Sequence, residues 1–268
     1  MGFSPPMLRA VQHRLMLLPT LNLSAWLWAF ALNGLLISLA QRLPLLTSAG
    51  WIHAGILGTI LWGCLGWRGW LAVVVYLSLG SLVTRLGMAE KQRSGLAEGR
   101  GGRRGPENVW GSAATGAVLA MLIGAGIGSA PLLQIGFAAS FAATLADTFG
   151  SEIGKRWGRT TVLITSLRPV PAGTDGAISL EGTVASALGS VLMTAVMVGL
   201  ALIPWGLAAG IVAAVGLLAT LLESLLGALV QNRIGWLTNE LVNGLQTFAA
   251  ALLAIAFAGF VDAPFQVH

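Results

Sequence analysis

The chain has 268 residues, 56% of them hydrophobic and 9% charged, with a formal net charge of +5 and a mean hydropathy of +0.81. A soluble domain of this length carries about a quarter charged residues, so that class is excluded. Continuous uncharged runs of about 18 or more residues also exclude a membrane β-barrel, whose strands alternate. What remains is an all-α fold: a polytopic integral membrane bundle of seven or eight transmembrane helices. The single cysteine, Cys64, rules out an internal disulfide framework, and His13, His53 and His268 are scattered with no metal spacing. The positive balance suits anionic lipid or a phosphorylated ligand, and no nucleic acid is expected as a partner.

Arg9, His13 and Arg14 precede the first apolar run as in a signal-peptide n-region. The run is long and lacks a small-residue cleavage site, so a retained helix is predicted at roughly Leu21–Ala40. A short, glycine-interrupted second helix follows at Gly50–Gly66 and a third at Gly69–Met88; without the second as a full span the count is seven. Trp51, Trp62, Trp67 and Trp70 sit near these ends, where an interfacial belt places them. The first polar segment, AEKQRSGLAEGRGGRRGPEN at Ala89–Asn108, carries five basic residues among glycines. A fourth helix is predicted at Val109–Gly128 and a fifth at Pro131–Lys155. The second polar loop covers Arg156–Leu180. Helices six, seven and eight are predicted at Glu181–Ile203, Leu207–Val230 and Asn239–Phe260. No stretch is polar and long enough to build a separate soluble domain, so residues 1–268 read as one transmembrane domain.

With eight spans, both basic loops fall on one side together with Arg42 and Arg233, giving that side twelve Lys and Arg residues against three. That side is expected to face the cytoplasm or a stroma-like compartment, with the N-terminus opposite, although Arg9 and Arg14 pull the other way.

Against this apolar background the stretch ADTFGSEIGKRWGRTTVLITSLRPVPAGTDGAISLEG at Ala146–Gly182 stands out, holding four of the ten acidic residues. A charge near the bilayer centre costs about 2.5–3.5 kcal/mol on insertion scales and usually faces the bundle interior with a partner. At 100° per residue, Asp147, Thr148, Ser151, Glu152 and Lys155 fall within an arc of about 140°. The other side holds Ala146, Phe149, Gly150, Ile153 and Gly154, suited to close helix packing. Such a stripe is read either as an interhelical salt bridge, for example of Asp147 or Glu152 with an arginine, or as a carboxylate and hydroxyl cluster for a hard cation such as magnesium. Helix seven repeats the pattern with Thr220, Glu223, Ser224, Gly227 and Gln231. Helix eight adds Asn239, Glu240, Asn243, Gln246 and Thr247. Polar faces of this kind can also simply hold helices together.

The loop from Arg168 to Thr183 combines prolines with a Gly-Thr-Asp-Gly turn, either an ordinary re-entry turn or a cradle of backbone N–H groups for an anion. It lacks the Gly-Lys-Ser/Thr ending of a Walker A loop. Arg103 and Arg104 in GRGGRRG suit lipid headgroups or the clamping of phosphates. Carboxylates, hydroxyls, arginines and a glycine turn at one face are the parts phosphoryl transfer uses.

LADTFGSEIGK at Leu145–Lys155 and LRPVPAGTDGAISLEGTVAS at Leu167–Ser186, with LLESLLGALVQ and TNELVN further on, resemble the integral-membrane family that includes the phytyl-phosphate kinases of vitamin E synthesis. The likeness runs from about Gly99 to the C-terminus, with residues 1–88 as variable N-terminal helices and 89–268 as the family-like part. It departs at ENVWGS, where the family usually has Gln and Asn in a run resembling QVxAN and this chain has Asn108 and Ser112. It departs again at Glu223, where a shorter Asp is expected. The resemblance implies a kinase that moves a phosphoryl group from a nucleoside triphosphate, CTP above others, to phytyl or a related isoprenyl monophosphate, giving the diphosphate. Together with the carboxylate and hydroxyl stripe it leads to the expectation of Mg²⁺ as cofactor, held by Asp147, Glu152 and Glu223. Asp147, Glu152, Arg104 and Lys155 are the expected catalytic residues. Arg103, Arg168, Gly173, Thr174, Gly176, Ser179, Thr148, Ser151, Asn239 and Asn243 are expected to bind nucleotide or phosphate. The expected location is a bacterial inner or thylakoid membrane, or a plastid envelope, with the active face cytoplasmic. Two other readings stay open: a cytidylyltransferase acting on a lipid phosphate, and a cation- or proton-coupled secondary transporter.

Overall fold

The structure is a computed structural model that describes residues 23–230, 234 and 236–262. The N-terminal basic residues, Gln231 and Arg233 lie outside the described residues. The elements are α1 (Leu23–Ala40), α2 (Ser48–Arg85), α3 (Met88–Arg93), α4 (Pro106–Gly124), α5 (Ala130–Trp157), β1 (Thr161–Leu163), β2 (Ala177–Ser179), α6 (Leu180–Gly199), α7 (Leu207–Leu229) and α8 (Asn239–Asp262). Six of them, α1, α2, α5, α6, α7 and α8, are long and apolar enough to cross a membrane. The chain is an all-α polytopic bundle.

The 38-residue α2 would be about 57 Å long if straight, almost twice the thickness of a bilayer core. It is broken at Gly66, whose φ of +69° and ψ of −169° suit only glycine. The two halves fold back on each other. Asn33 on α1 donates to the Gly55 carbonyl at 2.7 Å and accepts from Trp70 Nε1 at 2.9 Å, so residues 15 apart in sequence meet one side chain. At the other end, Arg85 donates to the Pro44 carbonyl, just ahead of the start of α2. The predicted second and third helices are therefore present as an antiparallel pair, joined by a single glycine where a short linker was expected. The third stops at Arg85 rather than Met88, because Gly87 (φ +63°) interrupts the chain before α3.

The bundle is built around α5. Residues Ile135–Ala146 of this helix are buried without interruption, and they read IGFAASFAATLA. Small side chains on every face let neighbouring helices approach all round, which is how helices associate where lipid is as apolar as leucine. Phe137 and Phe141 fill the middle, with ring centroids 5.0 Å apart and Tyr76 packed on Phe141 at 5.6 Å. The closest neighbour is α6. A Cβ at Gly189 would lie 2.8 Å from the Leu145 carbonyl oxygen and 3.1 Å from Ala146 Cα, and one at Gly150 would strike Ser186 Oγ.

The second polar loop, expected as irregular, contains a two-stranded antiparallel ribbon pairing Thr161 with Ser179, Val162 with Ile178 and Leu163 with Ala177. Ser179 then caps α6, its hydroxyl accepting the Gly182 N–H at 3.1 Å. Gly105, at the start of α4, lies beside the α1–α2 linker, since the Arg104 N–H reaches the Leu45 carbonyl at 3.1 Å.

Two outcomes are expected. Gly189→Val overpacks α5 against α6 and lowers the detergent unfolding midpoint by the equivalent of about 1–3 kcal/mol. Leu188→Ala, on the 61% exposed outer face of the same helix, leaves it unchanged. In a Cys64→Ala background, Arg68→Cys and Arg159→Cys are labelled by an impermeant maleimide from opposite sides of the membrane. Labelling from one side would refute the hairpin at Gly66.

Candidate functional site

The polar ends of α5, α7 and α8 meet the two basic loops and enclose two adjoining polar cavities of about 320 and 290 Å³. Their shared wall is Glu98, Asp147, Ser151 and Asn239. The larger cavity takes Lys155, Glu223 and the whole Gly-Thr-Asp-Gly turn, Gly173, Thr174, Asp175 and Gly176, along with Ser179 at the head of α6. The smaller takes Arg103, Arg104, Thr148, Glu152 and Asn243. Asp147 thus stands between an acidic, glycine-lined chamber and an arginine-lined one.

Local chemistry holds these groups in place. The turn is closed by Thr174, whose N–H and hydroxyl both reach the Pro171 carbonyl, and by the Ala177 N–H on the Thr174 carbonyl at 3.0 Å. Gly176 has φ +74°, and a Cβ there would lie 2.5 Å from the Ser224 carbonyl and the Ala228 nitrogen. Only glycine lets the turn rest directly on α7, one residue from Glu223. On α5, Thr148 donates to the Thr144 carbonyl at 3.0 Å. No described side chain forms an ion pair with Asp147 or Glu223. Asn243 Oδ1 is buried with no hydrogen-bond partner.

The basic residues that end α5 do not all face the cavities freely. Lys155 pairs with Glu98 at 2.8 Å and Arg156 pairs with Glu90. Lys91, 1% exposed, is driven inward from α3 to pair with Glu152 and to donate to the Thr84 carbonyl at 2.7 Å. Three ion pairs therefore fasten the first polar loop across the end of α5. In Glu98, burial opposes the charge, but the Lys155 ammonium holds the carboxyl below the ordinary glutamate range. A carboxyl lowered on folding stabilises above its unfolded value, so this contact is complete at neutral pH and is lost only as pH falls through the lowered value.

Arg104 is held differently. Its guanidinium donates to the Tyr76 hydroxyl and sits 5.2 Å from that ring's centroid. It fits where Gly80 has no side chain, since a Cβ there would lie 2.6 Å from Arg104 Nη2. It forms no ion pair with a described residue, so its charge remains available to a ligand.

Measured against the sequence expectations, fourteen of the fifteen predicted site residues line one cavity or the other. Arg168 does not. It is exposed, and the extended backbone at 168–170 pairs with β1 and carries its side chain outward. Glu152 lines the smaller cavity, but Lys91 occupies its carboxylate, so the acid is an ion-pair partner instead of one of three clustered metal ligands. Among the described residues no group of three or more His, Cys, Asp or Glu side chains is placed to hold a metal ion. Asn108, at the departure from the family run, accepts from the Gly105 N–H and donates to Glu240, tying α4 to α8. Glu98, Asp175, Lys91 and Tyr76 were missed. Asp175 had a signal in its turn, whereas Lys91 looked like one cation among five in a flexible segment.

The chain matches the model of an integral membrane protein family, DUF92, over residues 31–251. It is 48% identical to an uncharacterised membrane protein of Synechocystis over 86% of this chain and 90% of that one. It is 40% identical to the chloroplastic protein VTE6 of Arabidopsis thaliana over 88% of this chain and 73% of that one. An uncharacterised membrane protein of Methanocaldococcus jannaschii is 32% identical over 78% of this chain and 84% of its own length. No solved structure matches it.

Removing one partner of a buried ion pair costs about 3–5 kcal/mol, and replacing both with apolar groups costs far less. Lys91→Met alone is therefore expected to lower the unfolding midpoint strongly, and Lys91→Met with Glu152→Met to recover most of that loss. Additive losses in the double variant would sink the pairing.

Proposed function

The chain belongs to the DUF92 family of integral membrane proteins, and from that premise we propose that it is a membrane kinase. It transfers the γ-phosphoryl group of a nucleoside triphosphate, CTP in the first instance, to phytyl monophosphate or a related isoprenyl phosphate. The observation that carries the reading is the pair of polar cavities meeting at Asp147, which gives two phosphate-bearing substrates adjoining places at one membrane face. The likeness to the phytyl-phosphate kinases of vitamin E synthesis, and to chloroplastic VTE6, supports the substrate class.

In this reading an acceptor phosphate oxygen attacks the γ-phosphorus. A new P–O bond forms, the bond from that phosphorus to the β–γ bridging oxygen breaks, and the nucleoside diphosphate leaves with the electron pair. The attacking oxygen is already anionic, so no strong general base is needed, and positioning with charge stabilisation supplies the catalysis. The Gly173–Gly176 turn presents backbone N–H groups to the nucleotide phosphates. Arg103 and Arg104 hold phosphate oxygens and stabilise the charge that spreads over the transferring group. Lys155, held by Glu98 at the larger cavity, offers its remaining N–H donors to a phosphate oxygen.

Magnesium fits this donor set in a reduced form. Mg²⁺ in kinase sites takes one or two carboxylates and completes its shell with water and phosphate oxygens. Asp147 and Glu223 face one cavity without ion-pair partners, and the unpartnered Asn243 Oδ1 adds a further oxygen toward the second. When bound there the ion would neutralise charge on the β- and γ-phosphates.

Purified protein incubated with phytyl phosphate and each of the four nucleoside triphosphates is expected to give phytyl diphosphate and a nucleoside diphosphate. Asp147→Asn is expected to lower turnover by about a hundredfold or more, the scale of losing a charge-stabilising group. Release of pyrophosphate in place of the nucleoside diphosphate would make the protein a nucleotidyltransferase and overturn the kinase reading.

A further inference from the structure

Beside the arginine-lined cavity lies a third of about 280 Å³, walled by α1, both halves of α2 and α4. Its wall is apolar: Leu36 and Ile37 from α1, Ala54 and Leu57 from the first half of α2, and Val73 and Leu77 from the second. Tyr76, Arg104, Asn108 and Ser112 line both this cavity and the arginine-lined one, and the other polar lining residues are Asn33, bonded to Gly55 and Trp70, and Ser78, bonded to Val74. A hydrophobic chamber therefore ends on a guanidinium that forms no ion pair with a described carboxylate.

We propose that this chamber receives the hydrocarbon chain of the acceptor, with its phosphate on Arg104 in the adjoining polar cavity. The proposal rests on the kinase reading above and adds which substrate takes which place. The amphiphile lies along α2 and α4, and the nucleotide occupies the cavity beyond Asp147.

Three observations favour an anionic amphiphile over a neutral lipid. The charge is fixed, because the Arg104 backbone is pinned at both ends. Its N–H donates to the Leu45 carbonyl at 3.1 Å, and its carbonyl accepts the Thr47 N–H at 3.0 Å. The guanidinium is oriented by Tyr76 and fitted against Gly80, so it is presented at the junction of the two cavities. A buried or half-buried cation of this kind is costly without an anionic partner, and a phosphate supplies one bidentately. The chamber, of about 280 Å³, takes the near part of an isoprenyl chain. In this proposal the remainder passes α1, which buries only Ala29 and Asn33 and turns an exposed face of leucine, tryptophan and phenylalanine outward.

The test uses the full-length protein in nanodiscs and a decyl-length alkyl phosphate carrying a diazirine, with labelled peptides mapped by mass spectrometry. Label is expected in the chamber-lining segments of α1, α2 and α4. It should be competed by unlabelled alkyl phosphate but not by the corresponding alcohol, and be reduced about tenfold or more by Arg104→Gln, the scale of a lost charge-assisted hydrogen bond. Ala54→Trp and Val73→Trp, which fill the chamber, should raise KM for the isoprenyl phosphate while leaving KM for the nucleotide unchanged. Label spread over the lipid-facing surface, or label in the chamber that ignores both the phosphate and Arg104, overturns the proposal. Labelling needs no turnover, so the two readings separate. The expected label on a protein that makes no diphosphate removes the kinase reading and leaves the amphiphile site standing. Turnover with label elsewhere does the reverse.

Discussion

A carboxylate can sit within a membrane bundle only if protein, and not lipid, surrounds it, and here that condition is met by the enclosure of α5. Twelve consecutive residues, Ile135–Ala146, are buried on every side immediately before Asp147. The enclosure depends on small residues. Glycine and alanine on α5 meet Gly182, Ser186 and Gly189 on α6 at backbone contact, and the reward in lipid is dispersion and hydrogen bonding, with no hydrophobic drive between helices. Close packing at this seam fixes more than the core. It sets the start of α6, hence Ser179 and the ribbon that precedes it, and so the distance of the glycine turn from Asp147.

A second constraint shapes the electrostatics. The end of α5 is crowded with cations, but Glu90 and Glu98 neutralise two of them, while Lys91 arrives from α3 to neutralise Glu152. After this mutual cancellation Asp147, Asp175 and Glu223 line the larger cavity without ion-pair partners, and Arg103, Arg104 and Glu240 line the smaller one likewise. The larger cavity therefore carries only acids without ion-pair partners, while both free guanidiniums line the smaller one beside Glu240, with Asp147 at the boundary. Such a division suits a nucleotide whose phosphates need a metal and an acceptor whose phosphate needs a guanidinium.

Much of this was legible in the sequence, for identifiable reasons. Apolar run length revealed the membrane helices, of which six are long and apolar enough to cross, with the expected second and third merged in α2, and the Lys/Arg bias placed the loops together. Helical periodicity put Asp147, Thr148, Ser151 and Glu152 on one inward arc, and the structure has them lining the cavities. Illegible features all involve partners distant in the chain. Lys91 and Glu152 are 61 positions apart, and nothing in a glycine-rich basic segment distinguishes the one lysine that turns inward. Arg168 failed for the converse reason: charge and proximity to a turn do not say which way an extended strand points its side chains, and its pairing with β1 settles that. The hairpin at Gly66 was visible as two helices but not as a one-residue reversal, because glycine in a membrane segment more often signals packing than a turn.

The apolar chamber is the clearest case of a feature no single segment encodes. Its walls come from α1, the folded-back α2 and α4, and it exists only because Gly66 returns the second half of α2 alongside the first. Without that reversal Tyr76 would stand far from Trp51 and Leu57, and Arg104 would have neither its ring nor the notch at Gly80. The same turn thus makes the hydrophobic space and orients the cation at its end. That coupling gives a reason for the N-terminal helices, which the family match includes from residue 31, to accompany the rest of the bundle. They complete a chamber that is apolar along α1 and α2 and shares Tyr76, Arg104, Asn108 and Ser112 with the polar cavity. Holding the acceptor this way would keep its chain in hydrocarbon throughout, so that only the phosphate needs to meet water, nucleotide and Asp147.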